Sequence, residues 1–116
     1  MTGCIVGWAH TPFGRLDGET VESLIVRVAN GALADAGIEA RNVDEIVLGH
    51  FNAGFSPQDF TASLVLQASP ELRFKRALRV ENACATGSAA GVIVICSAPT
   101  ASTMRAERAA IALSPW

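Results

Sequence analysis

Residues 21–49, VESLIVRVANGALADAGIEARNVDEIVLG, carry a helix signal followed at once by a strand signal. Val21, Leu24, Ile25, Val28, Ala29, Ala32, Leu33 and Ala36 recur at i, i+3, i+4 and i+7, which gathers them on one face of a helix. Asp17, Glu19 and Glu22 sit near its positive N-terminal end, Gly37 stops it, and Ile38 supplies the apolar contact that accompanies a glycine cap. Glu45 to Phe51 then reads as a strand centred on Ile46, Val47 and Leu48. Upstream, the apolar run Cys4 to Trp8 predicts an earlier strand, bounded by the turn residues Thr11, Pro12 and Gly14. Strand, helix and strand in that order predict an α/β fold with a parallel or mixed sheet.

Working downstream, Ser56-Pro57-Gln58-Asp59 offers an N-cap, a proline at the first helical position and an acid at the third. A second helix is expected from there to about Ser69, closed by Pro70, with a third strand over Ala77 to Val80. A third helix beginning at Cys84 completes a βαβαβα order. From Gly91 to Cys96 the β-branched run Val-Ile-Val-Ile prefers strand, Ser97 to Thr103 reads as a linker, and Met104 to Leu113 as a short helix.

A chain of 116 residues holds one core. Nine Lys and Arg against 11 Asp and Glu leave a net charge of −2, so no basic field gathers phosphate backbones and nucleic-acid binding is not expected. Half the residues are apolar, which disfavours disorder, yet no apolar run reaches the ~20 residues of a membrane helix. The start shows no leader, and a cytoplasmic location is expected. Cys4, Cys84 and Cys96 are widely spaced and odd in number, against a disulfide framework. His10 and His50 stand apart from each other and from the cysteines, so no metal site is expected. Neither a glycine-rich dinucleotide motif nor a Walker lysine follows the first strand.

The segment with chemistry in it is Val80-Glu81-Asn82-Ala83-Cys84-Ala85-Thr86-Gly87-Ser88-Ala89-Ala90. A cysteine between a strand end and a helix start meets the helix dipole and unpaired backbone N–H groups, which favour the nucleophilic thiolate. The same amides can stabilise an oxyanion, and small residues such as Gly87 permit close approach of a substrate. By position alone, a second reading stands beside it: Cys84 as a small buried hydrophobe, the commoner fate of cysteine. Cys4 and Cys96 read as core. The GxSxG elbow of hydrolases is absent.

From residue 3 to about residue 90 the order of these pieces resembles the N-terminal part of the thiolase family. Ile5-Val6 is followed by His10-Thr11-Pro12-Phe13-Gly14, where the family typically carries Arg-Thr-Pro-x-Gly. Ala32-Leu33-Ala34-Asp35-Ala36-Gly37-Ile38 and Val43-Asp44-Glu45-Ile46-Val47-Leu48-Gly49-His50 come next in register. Asn82-Ala83-Cys84-Ala85-Thr86-Gly87-Ser88 is similar to the nucleophile segment of the subgroup related to sterol carrier protein thiolases. The resemblance implies an N-terminal half-domain of the thiolase fold over residues 1–90, with 91–116 a tail from a shifted reading frame or a junction.

It also implies an acyl-CoA C-acyltransferase in which Cys84 carries the acyl group as a thioester and its amide helps form an oxyanion hole. Acetyl-CoA or another acyl-CoA is then a substrate, no separate cofactor is called for, and residues that bind coenzyme A are not assigned. Glu81 and His10 depart from the asparagine and arginine common in the family. His50 reads as a strand-end or interface histidine with a satisfied hydrogen bond in preference to a catalytic base. The activating histidine, the second catalytic cysteine and most of the coenzyme A loop belong, by the same resemblance, to a part that would come after, so the 116 residues are expected to be inactive alone. Full-length members are homo-oligomers. A ketoacyl-synthase-like condensing enzyme and a non-catalytic truncated product are the alternatives.

Overall fold

The computed structural model of the protein describes residues 4–51, 60–97 and 109–113. Helix α1, Val21–Ala36, forms where the apolar period places it. Thr20 caps it by accepting from the Ser23 N–H while the Ser23 hydroxyl accepts from the Thr20 N–H, a reciprocal pair that satisfies two otherwise orphaned donors. At the other end Gly37 turns left-handed at φ 65°, its N–H donating to the Ala34 carbonyl and the Ile38 N–H to the Leu33 carbonyl.

Strand β1, Val43–Gly49, is central, with β2, Arg76–Val80, on one side and β3, Ala109–Leu113, on the other, both parallel to it. The sheet is therefore parallel throughout, the narrower of the two arrangements that the sequence allows. Burial on both faces explains the continuous apolar run from Ile46 to Leu48 in β1: Val43, Ile46, Val47 and Leu48 are completely buried and only Asp44 is exposed. Glu45 is buried too, and Arg76, its cross-strand partner on β2, reaches its Oε1 at 3.3 Å. Ile25, Val28 and Ala29 of α1 join Val43, Ile46 and Leu48 of β1 with Leu64, Val65 and Leu72 in one core. β2, whose residues Arg76 to Leu78 are exposed, is an edge strand carrying arginines, a usual protection of a sheet margin.

Several expectations change. Cys4 to Trp8 is not a strand; the segment lies instead against α1, where the Trp8 N–H donates to Asp35 Oδ2 at 2.9 Å and Gly7 comes so close that a Cβ there would lie 2.6 Å from the Ala36 backbone nitrogen. Cys4 is consequently exposed and not core. The helix expected over Ser56 to Ser69 begins outside the described residues, and its remainder is a 3₁₀ helix over Thr61–Gln67, longer than the usual three or four residues. Pro70 does not simply end it but opens a further 3₁₀ turn, Pro70–Leu72, capped by the Ser69 side chain.

The strand-prone run from Gly91 to Cys96 is helical, within α2, Thr86–Ser97, which crosses residue 90 without a break. Here packing of α2 against β1 and β3 overrides local preference. The side chain of Cys96 lies outside the described ones. Where a helix was expected over Met104 to Leu113, residues 109–113 form β3, and 104–108 lie outside the described residues. No helix among the described residues is long and apolar enough to cross a membrane.

Candidate active site

The carboxyl ends of β1 and β2 lie side by side, joined beyond the paired residues by the His50 N–H donating to the Val80 carbonyl at 3.1 Å. Parallel sheets commonly open their sites at this end. From β2 the chain passes through Glu81 and Asn82 into a single 3₁₀ turn, Ala83–Ala85, that runs directly into α2. Cys84 is in the middle of that turn and its side chain is exposed, so of the two readings open from sequence the buried hydrophobe is removed.

The turn is held by short-range bonds. The Ala85 N–H donates to the Asn82 carbonyl at 2.8 Å. The Asn82 N–H donates to Thr86 Oγ1 at 2.8 Å, and that hydroxyl donates in turn to the Ala83 carbonyl at 2.7 Å. Ala83, immediately before the cysteine, has φ 43°, a left-handed conformation that costs a non-glycine residue about 1 kcal/mol. Thr86 is buried, and below it the end of β1 comes so close that a Cβ on Gly49 would lie 2.8 Å from the Thr86 carbonyl oxygen.

Beside the turn, His50 is fully buried, with its Nδ1 3.2 Å from the Thr61 hydroxyl. This is the strand-end histidine with a hydrogen bond that the sequence suggested. Burial first, and the Arg79 guanidinium second, push its pKa below the ordinary 6.5, while Glu81 pulls it back up. Arg79 is half-buried, pairs with Glu81, and directs its Nε toward the His50 carbonyl at 3.4 Å. Glu81, one of the two departures from the family pattern, is thus half of an ion pair adjoining the turn. The other, His10, is exposed and stands against Trp8 and Phe13 at ring separations of 5.1 and 5.7 Å.

Among the described residues no cluster of His, Cys, Asp and Glu could hold a metal ion. Thr86, Thr61 and Arg79 were not evident from sequence as neighbours of the turn. A threonine two residues beyond a strand-to-helix junction is a capping signal and could have marked the first. Thr61 and Arg79 meet His50 only through the fold.

The arrangement can present a thiol to solvent at a helix start, with small residues around it. Known proteins place it in context. Residues 3–104 match the family model described as thiolase, N-terminal domain, a match that continues past residue 90, where the resemblance read from sequence stops. The chain is similar to the acetyl-CoA acetyltransferase of Methanocaldococcus jannaschii, 39% identical over 87 residues, which are 74% of this chain and 22% of that protein. It is also similar to the acetyl-CoA acetyltransferase of Methanothermobacter thermautotrophicus, 32% identical over 97 residues, 80% of this chain and 25% of the relative. The chain spans about a quarter of the length of these curated relatives. With most of its residues matched, the strand-turn-helix around Cys84 included, the chain belongs to the thiolase family, in the region of that family's N-terminal domain.

Proposed function

We propose that Cys84 is the acyl-accepting nucleophile of an acetyl-CoA C-acyltransferase of the thiolase type. The observation that carries this reading is the exposed Cys84 thiol in the turn that leads from β2 into α2 of a thiolase N-terminal domain. In the first half-reaction Cys84 Sγ bonds to the acyl carbonyl carbon, the carbon–sulfur bond to coenzyme A breaks, and coenzyme A leaves as the thiol with the proton that Cys84 gives up. The Cys84 backbone N–H contributes to holding the carbonyl oxygen while it is negatively charged. Condensing the acyl group with a second acyl-CoA, or cleaving a 3-oxoacyl-CoA, uses groups that the family resemblance assigns to the remainder of a thiolase, so these 116 residues do not turn over by themselves. Assembly as a homo-oligomer in the cytoplasm belongs to the same reading, with acetyl-CoA as substrate and no separate cofactor.

The test is the intact mass of the chain after incubation with acetyl-CoA, followed by peptide mapping. One acetyl group on Cys84, none in Cys84→Ser, and no 3-oxoacyl-CoA in solution are expected. Acetylation spread equally over Cys84 and the exposed Cys4 would overturn the reading. Transfer from a carrier-protein thioester but not from coenzyme A would assign the chain to the ketoacyl-synthase-like alternative.

A further inference from the structure

We propose that Thr86 is a positioning residue, whose hydroxyl sets the turn that presents Cys84 and thereby the reactivity of that thiol; the consequence for acyl transfer rests on Cys84 being the acyl acceptor. The hydroxyl is used in both senses at once, accepting from the Asn82 N–H at 2.8 Å and donating to the Ala83 carbonyl at 2.7 Å. It therefore ties together the two residues that precede Cys84, while the Ala85 N–H, donating to the Asn82 carbonyl, fixes the residue on its other side. Between these ties the backbone at Cys84 has little freedom. Ala83 is kept at φ 43°, a conformation that alanine does not hold unless neighbouring bonds impose it.

Thr86 is itself fixed from beneath. It is 4% exposed, and its carbonyl and side-chain methyl press on the end of β1 at Gly49. The hydroxyl bridge is thereby referred to the central strand of the sheet, the most buried element described. The side chain has two separable parts: a methyl that packs on Gly49 and a hydroxyl that holds the turn.

Thr86→Val keeps the methyl and removes the hydroxyl; Thr86→Ser does the reverse. The full chain offers two readouts: amide exchange at Asn82, and the rate at which iodoacetamide modifies Cys84 relative to Cys4. In Thr86→Val the Asn82 amide is expected to exchange about tenfold faster, as the loss of one partly buried hydrogen bond implies. The Cys84-to-Cys4 rate ratio should fall by at least about threefold as the thiol leaves its set position at the helix start. Thr86→Ser should restore both to within about twofold of the unaltered chain.

A Ser variant more impaired than the Val variant would show that methyl packing is the role and overturn the proposal, as would a rate ratio unchanged in both. Circular dichroism of each variant separates a folded chain from an unfolded one, in which Cys84 and Cys4 react alike and which Thr86→Ser alone then decides. Absence of acetylation in the unaltered chain, with the Val and Ser contrast intact, would remove the acyl-transfer reading and leave the positioning role standing.

Discussion

At Gly49 an added methyl group would meet the Thr86 carbonyl oxygen at 2.8 Å and the Thr86 methyl at 3.0 Å, and the first of these is backbone that cannot swing aside. Gly49→Ala is therefore expected to lower stability by about 1–3 kcal/mol, the usual cost of forcing extra volume into a packed site. Urea denaturation would measure it. His50 gives a second expectation at this scale. The unfolded chain protonates this histidine near 6.5, whereas burial and the neighbouring Arg79 delay protonation in the folded state to lower pH. Above 6.5 both states are neutral and nothing is lost; as pH falls below 6.5 the unfolded state takes up the proton first and stability declines, levelling off below the folded-state value. The urea midpoint should thus fall between about pH 7.5 and about pH 5, and His50→Gln should flatten that slope.

Among the elements, α1, β1, β2 and the start of α2 were legible in the sequence and the others were not, for identifiable reasons. Helix α1 has a consistent apolar face and a glycine at the stop, and β1 reads as a buried run, so local pattern and tertiary demand agree. The run from Cys4 to Trp8 has equal strand character but is seated on α1 by the Trp8–Asp35 bond and the close approach of Gly7 to Ala36, contacts between residues distant in sequence that no local pattern shows. The run after Gly91 illustrates the opposite override, strand-preferring residues within a helix, α2, that as a whole packs on the sheet. At the site, the cysteine showed through its strand-to-helix position, while the Thr86 bridge and the Gly49 contact depend on atoms brought together by folding. Gly91, inside α2 with open space where a Cβ would go, is unfavourable by intrinsic propensity. Gly91→Ala should stabilise the protein by about 0.5–1 kcal/mol, read as a higher urea midpoint.

For the molecule as a whole, the notable surface is apolar. Ile5, Val6, Trp8 and Phe13 near one end, with Phe60 and Phe74 elsewhere, are largely exposed side chains of a kind that solvent-facing surfaces carry sparingly. Self-association that grows with concentration is expected, visible as a rising weight-average mass in sedimentation. Replacing Trp8 and Phe13 together by serine should reduce it without moving the urea midpoint, since neither side chain belongs to the core.

The pairing of β1 with β3 also has a kinetic side. Val43 and Ala109, which stand opposite each other, are roughly 65 residues apart along the chain. Closing so long a loop precedes any reward from the contacts it permits, so completion of the sheet should be a late and slow event in folding. During synthesis on the ribosome, α1, β1 and β2 emerge well before the partner of the second edge of β1 exists. For that interval the central strand, whose Val43, Ile46, Val47 and Leu48 are fully buried in the finished fold, offers an open margin, and it is then that pairing with a neighbouring nascent chain competes with correct assembly.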